Sequence, residues 1–162
     1  MDFYNQISKG YDELYGEEQL KKLGIIKSSL DIKNNDLLLD IGCGTGISSE
    51  FNCKVIGVDP SIELLKQNKK IGVNSIAENL PFKDSIFNFV ISVTAIHNFD
   101  NVKKSLEEMK RVGKNNFVFS VLKKSGKFDE IKNSIKKYFK IDGIIEEDKD
   151  MIFFCRNKQS LN

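Results

Sequence analysis

Residues that build stapled, fibrous or membrane-spanning proteins are scarce in this chain. It has three cysteines in 162 residues, Cys43, Cys53 and Cys155. An odd number at wide spacing gives neither a disulfide framework nor a zinc pattern, so no metal ligand is expected. Two prolines and 11 glycines exclude collagen-like and mucin-like chains. With 40% hydrophobic residues the chain is not of disordered composition. No apolar run approaches the ~20 residues of a membrane span. The first residues, MDFYNQISKGYDELYG, are polar and aromatic, so a secretory signal is not expected and a reducing cytoplasm is the expected compartment. There is no internal repeat, low-complexity tract or Pro/Gly/Ser linker. The expectation is one domain, with a helical cap segment over 1–33 and a core over 34–157.

The net charge of +2 hides an asymmetry. Residues 101–141 hold twelve basic and four acidic side chains, +8 in that stretch and −6 in the rest. A basic segment of this kind suits a polyanionic partner, or else lysines on solvated helix faces.

Apolar patterning alternates between two periods. LLLDI (37–41) reads as a buried strand ending in an acid, and KVIGVD (54–59) repeats that form. Pro60 suits a first helical turn, and residues 61–70 continue at helical spacing. Residues 72–77 are a strand candidate and 87–94 a strong one, rich in β-branched and aromatic residues. Val102, Leu106, Met109 and Val112 mark an amphipathic helix, and 116–122 the next strand. Residues 128–139 form a helix with Phe128, Ile131, Ile135, Tyr138 and Phe139 on its apolar side. Two strands then flank an acidic turn at 146–150 and must be antiparallel to each other. A helix over roughly 17–30 carries Leu20, Leu23 and Ile26. Strands alternating with helices predict an α/β fold, a mostly parallel sheet covered on both faces.

Chemistry concentrates in LLLDIGCGTGISSEFNCKVIGVDP (37–60). Glycines at 42, 44 and 46 follow a strand and let backbone pass close to a ligand. Asp59, at the tip of the second strand, is placed to accept hydrogen bonds from two ribose hydroxyls. A dinucleotide fold would want a third glycine at 47, where Ile47 stands. Asp40, leading the loop, would repel a pyrophosphate and suits a cationic head, such as the amino group and sulfonium of S-adenosylmethionine.

The run Asp40-Ile41-Gly42-Cys43-Gly44-Thr45-Gly46, with Val58-Asp59-Pro60-Ser61, resembles the class I S-adenosylmethionine-dependent methyltransferases. Ala77-Glu78-Asn79-Leu80-Pro81-Phe82, Phe87 to Val90, and Ile96-His97-Asn98-Phe99 extend the likeness over about 36–156. The resemblance implies a Rossmann-like seven-stranded mixed sheet, order 3-2-1-4-5-7-6, with the last strand antiparallel. It implies S-adenosylmethionine as cofactor, held by Asp40, Gly42, Cys43, Gly44, Gly46, Asp59 and Pro60. Ile62 and Leu80 are implied as adenine-face contacts, or else ordinary core, and Ala77 and Glu78 as readers of the adenine edge; of the N-terminal aromatics Phe3, Tyr4, Tyr11 and Tyr15, Tyr11 is implied as a lid over the cofactor, the alternative being a helix docked by its aromatics. The chain departs from the family at Ile76 and Asn88, where many relatives carry Asp. It also has a short 46–59 stretch, expected to hold a helix of two turns, and Gly113-Lys114-Asn115-Asn116 in place of a proline-glycine-glycine turn.

The methyl acceptor is expected over the tip of the fourth strand, at Thr94, His97 and Asn98, with Phe99 free to stack on a planar group. His97, the one histidine, has a suitable ordinary pKa for a general base, or it packs the following helix. No lid inserted between the fifth strand and its helix and no added recognition domain are expected. With the basic 101–141 segment this points to an RNA base, in ribosomal or transfer RNA. The alternatives are a small molecule or protein side chain as acceptor, or a non-catalytic cofactor-binding scaffold subunit. A small activator protein could dock at an edge strand near 72–77. No membrane or DNA partner is expected.

Overall fold

The computed structural model describes residues 11–158, with side chains from residue 15 onward. Helix α1 runs Tyr11–Ser29. Strand β1 (Leu37–Ile41) leads through a 3-10 turn, Ile47–Ser49, to β2 (Lys54–Asp59). A one-turn helix α2 (Ile62–Leu65) precedes β3 (Ile71–Asn74). Then come β4 (Phe87–Val93), a second 3-10 turn Ile96–Asn98, α3 (Val102–Val112) and β5 (Gly113–Leu122). Helix α4 (Phe128–Tyr138) precedes the closing hairpin β6 (Phe139–Glu146) and β7 (Asp150–Asn157).

The seven strands form one sheet in the order β3-β2-β1-β4-β5-β7-β6. Strands β1 to β5 pair in parallel, and β7 runs antiparallel between β5 and β6. This is the Rossmann-like arrangement that the resemblance implies. Period-two alternation divides each central strand between two cores. Leu39, Val90, Phe117 and Phe119 face α3 and α4, meeting Leu106, Met109, Ile131 and Ile135. Leu38, Phe89, Ile91 and Val118 face the other way and meet Leu23 and Ile26 of α1. Burying one such side chain, Leu106 for example, contributes about 1.5–3 kcal/mol.

Several elements depart from the sequence expectation. Helix α1 begins before residue 17, and Leu20 is 51% exposed. Its inward positions are Gln19, Lys22, Leu23 and Ile26, one helical stripe that leaves residue 20 outside. The expected two-turn helix after the glycine loop is a single 3-10 turn, because Ser48 and Ser49 turn their hydroxyls onto Asp40. The helix expected over 61–70 stops after one turn. Asn68 bonds back to the Gly44 carbonyl and accepts the Lys70 N–H, offering the backbone another partner than the helix. Strand β3 ends at Asn74, and β5 starts directly at Gly113 without a separate turn.

Order reverses where β1 is flanked by β2 on one side and β4 on the other. A parallel sheet opens a crevice at the carboxyl ends of such strands.

Candidate functional site

A cavity of about 460 Å³ lies at that crevice, walled by the ends of β1, β2 and β4. The glycine loop forms its floor. Gly42, Gly44 and Gly46 all adopt positive φ, at 76°, 52° and 84°. At Gly42 a side chain is also excluded by space, since an added methyl would overlap the methyl of Ala95. The Gly42 and Cys43 N–H groups both donate to the Val58 carbonyl, at 2.7 and 3.1 Å, stitching the loop to β2.

Asp59 closes β2 and lines the cavity at 7% exposure. Its Oδ2 accepts the Gly44 N–H at 2.9 Å and its Oδ1 the Ser61 N–H at 2.8 Å. Burial pushes its carboxyl above the ordinary range, against the pull of those two donors. Each oxygen keeps a lone pair beyond the bond it accepts, so Asp59 can still receive hydroxyl donors.

Asp40 is fully buried and not on the cavity wall. Its Oδ2 accepts from Ser48 at 3.1 Å and from Ser49, while Oδ1 has no hydrogen-bond partner among the described residues. Loss of water drives its pKa up to about 6. Cys43 is buried behind the loop, its thiol packed over Gly57 and its pKa raised by burial. Gly46 lies against Asn68, also off the wall.

Of the other residues singled out from sequence, Pro60, Ala77, Glu78, Thr94 and Asn98 line the cavity. Ile62 and Leu80 do not, and Leu64 and Ile76 stand on the wall instead. Ser61 sets this phase: its hydroxyl caps α2 by accepting the Leu64 N–H, so Leu64 is buried and Ile62 exposed. The sequence reading put Pro60 in the first helical turn; Pro60 instead precedes the Ser61 cap and the helix starts at Ile62, so the phase of these four residues was not anticipated. Glu78 also accepts the Asn101 N–H at 3.0 Å, joining the wall segment 75–78 to the start of α3. Thr94, at the tip of β4, is held at φ 51°. Ala95, Phe99 and Asp100 complete that side, and Ala95 was not anticipated. His97 is not a wall residue; its Nδ1 is buried with no hydrogen-bond partner among the described residues, and burial lowers its pKa. The side chain of Tyr11, with Phe3 and Tyr4, lies outside the described residues.

The site fits the implied cofactor. The floor carries no side chains, a carboxylate stands at the β2 tip, and apolar Leu64 and Ile76 offer a face for a flat ring. No group of three or more metal-ligating side chains converges among the described residues, and no helix there is long and apolar enough to cross a membrane.

A sequence profile described as a methyltransferase domain matches residues 39–127. The uncharacterised protein MJ1252 of Methanocaldococcus jannaschii is 33% identical over 154 residues, 84% of this chain and 61% of its own length. This chain therefore spans about three fifths of that relative. The tRNA (carboxymethyluridine(34)-5-O)-methyltransferase of Schizosaccharomyces pombe is 33% identical over 78 residues, 46% of this chain and 34% of that enzyme. Among solved structures, a methyltransferase in complex with the Haloferax volcanii Trm112 methyltransferase activator superposes with a TM-score of 0.81 at 13% identity, covering 95% of this chain and 97% of that one. At that identity the likeness is one of fold.

Proposed function

We propose that this chain, which belongs to the methyltransferase domain family, transfers a methyl group from S-adenosylmethionine to a base in structured RNA. Asp59 and the glycine loop would hold the cofactor, which supplies an electrophilic methyl on a sulfonium. The protein's own part is alignment of the acceptor. Thr94, Ala95, Asn98 and Phe99 form the acceptor-side wall. Asn98 offers an amide to an exocyclic group, and Phe99 a ring to a planar one. We assign His97 to packing behind this wall rather than to proton transfer.

Three carboxylates, Asp59, Glu78 and Asp100, line the crevice, with no lysine or arginine. That lining favours a neutral acceptor such as a base over an anionic one. The observation that carries RNA is the lysine-rich face beside it. Lys103, Lys104, Lys124 and Lys127 are exposed at the crevice end of α3 and α4, where Lys127 Nζ donates to the Phe99 carbonyl at 3.0 Å; Lys136 and Lys137 are exposed at the far end of α4. The Schizosaccharomyces pombe relative, named for a tRNA substrate, agrees with this. At the other end of the sheet, β3 pairs only with β2 among the described residues, and Ile71 is 53% exposed. A small activator protein would pair there, as the Haloferax volcanii complex invites.

Labelled methyl transfer into a cell extract, split by class of molecule, tests the reading. Label is expected in RNA, and Asp59→Ala is expected to abolish it. Label in protein or small molecules instead would replace the acceptor. Cofactor binding without any labelling would make the chain a scaffold subunit.

A further inference from the structure

Lys22 sits midway along α1, yet its side chain is 0% exposed. Its Nζ donates to Thr94 Oγ1 at 2.9 Å and to Glu18 Oε1 at 3.0 Å. It lies 3.3 Å from Asp150 Oδ1 and 4.0 Å from Glu147 Oε1. The Thr94 hydroxyl passes the chain on, donating to Asp150 Oδ2 at 2.7 Å, an oxygen that also accepts from Ser120. Glu147 is held in turn by the backbone N–H groups of Lys149 and Asp150. A buried ammonium needs such partners, because water no longer solvates it.

This cluster joins four separate parts of the chain: α1, the tip of β4, β5 through Ser120, and the turn between β6 and β7 with the first residue of β7. Of its members only Thr94 reaches the crevice. Thr94 is β-branched and held at φ 51°, a backbone conformation such residues avoid, so the surrounding bonds must over-determine it. Ala95 follows it, and the Ala95 methyl occupies the space that Gly42 leaves by having no side chain. A continuous path thus runs from the Lys22 ammonium through the Thr94 hydroxyl and Ala95 to the floor of the glycine loop.

We propose that Lys22 is a positioning residue for the cofactor crevice, fixing Thr94 so that Ala95 seats on Gly42. The proposal rests on the cofactor reading above. A neighbouring pair on the same helix separates it from mere docking of α1. Lys21 reaches Asp148 in the same turn at 2.7 Å, but that pair is exposed and touches no crevice residue.

Binding of S-adenosylhomocysteine, measured by calorimetry on the full chain with thermal unfolding in parallel, tests the role. Lys22→Met and Thr94→Val should each weaken binding roughly tenfold, the scale of one hydrogen bond involving a charged group. Lys21→Met should stay within about twofold. The Lys22→Met/Thr94→Val double variant should bind no more weakly than the worse single one, because both cut one path. Should Lys22→Met fail to fold, Thr94→Val decides alone, since it keeps every charge. Wild-type affinity in Thr94→Val, or losses that add in the double variant, would overturn the positioning role while leaving the cofactor reading intact. No binding by the unaltered chain would overturn both.

Discussion

Asp40 shows how far a single side chain's role depends on its surroundings. Its place in the motif marks it as the acid behind the glycine loop. Folding removes its water and leaves one oxygen without a hydrogen-bond partner among the described residues. Its pKa rises to about 6, chiefly by burial; Ser49 and Ser48 oppose that rise and the charge of Asp59 adds to it. Below about pH 3 the group is largely protonated in both folded and unfolded chains. As pH climbs toward 6 the unfolded chain releases this proton first, so stability from this residue falls with rising pH. Between about pH 5 and about pH 7 the wild-type chain should lose roughly 1 kcal/mol relative to Asp40→Asn. Urea midpoints at the two pH values measure this, and a constant difference would remove the assignment. Gly42, Gly44, Asp59 and Thr94, singled out from sequence, line the cavity, whereas Gly46 packs against Asn68. That Asp40, Cys43 and His97 stand off the wall was not legible, since side-chain direction at a strand end depends on neighbours far along the chain.

At the scale of elements, caps decide more than propensity does. Helix α3 starts where expected because Asn101 accepts the Lys104 N–H at 3.0 Å and gives its own N–H to Glu78. Asn101→Ala should destabilise the fold by about 1 kcal/mol, read as a lowered thermal midpoint, with the cost falling on the helix start. An unchanged midpoint would mean the cap contributes nothing. Local patterning located α3, α4 and the central strands well, because their apolar periods are long enough to be unambiguous. It overran at 61–70, where Asn68 turns back to the glycine loop, and at the short crossing after Gly46, where Asp40 captures two serines. Both failures come from side-chain bonds to another part of the fold, which periodicity does not register.

Across the whole molecule, charge sorts onto different surfaces. Carboxylates line the crevice, while lysines crowd the exposed faces of α3 and α4 and the segments around them. If RNA binds there, each engaged phosphate releases a counterion. With four lysines engaged, association should weaken about a hundredfold between about 50 and about 200 mM salt, as filter binding or anisotropy would measure. Affinity flat across that range would remove the RNA reading.

From the sequence alone came the alternation of strands and helices, the glycine loop, the acid at the β2 tip and the uneven charge, because each is written in neighbouring residues. Strand order and cofactor also followed, through likeness to a family. Only tertiary structure could show that Leu64 rather than Ile62 faces the crevice, and that Lys22, an ordinary helix lysine by sequence, is buried against Thr94 and Asp150. Those arrangements join residues as much as 128 positions apart, and only packing brings such groups close enough for a hydrogen bond.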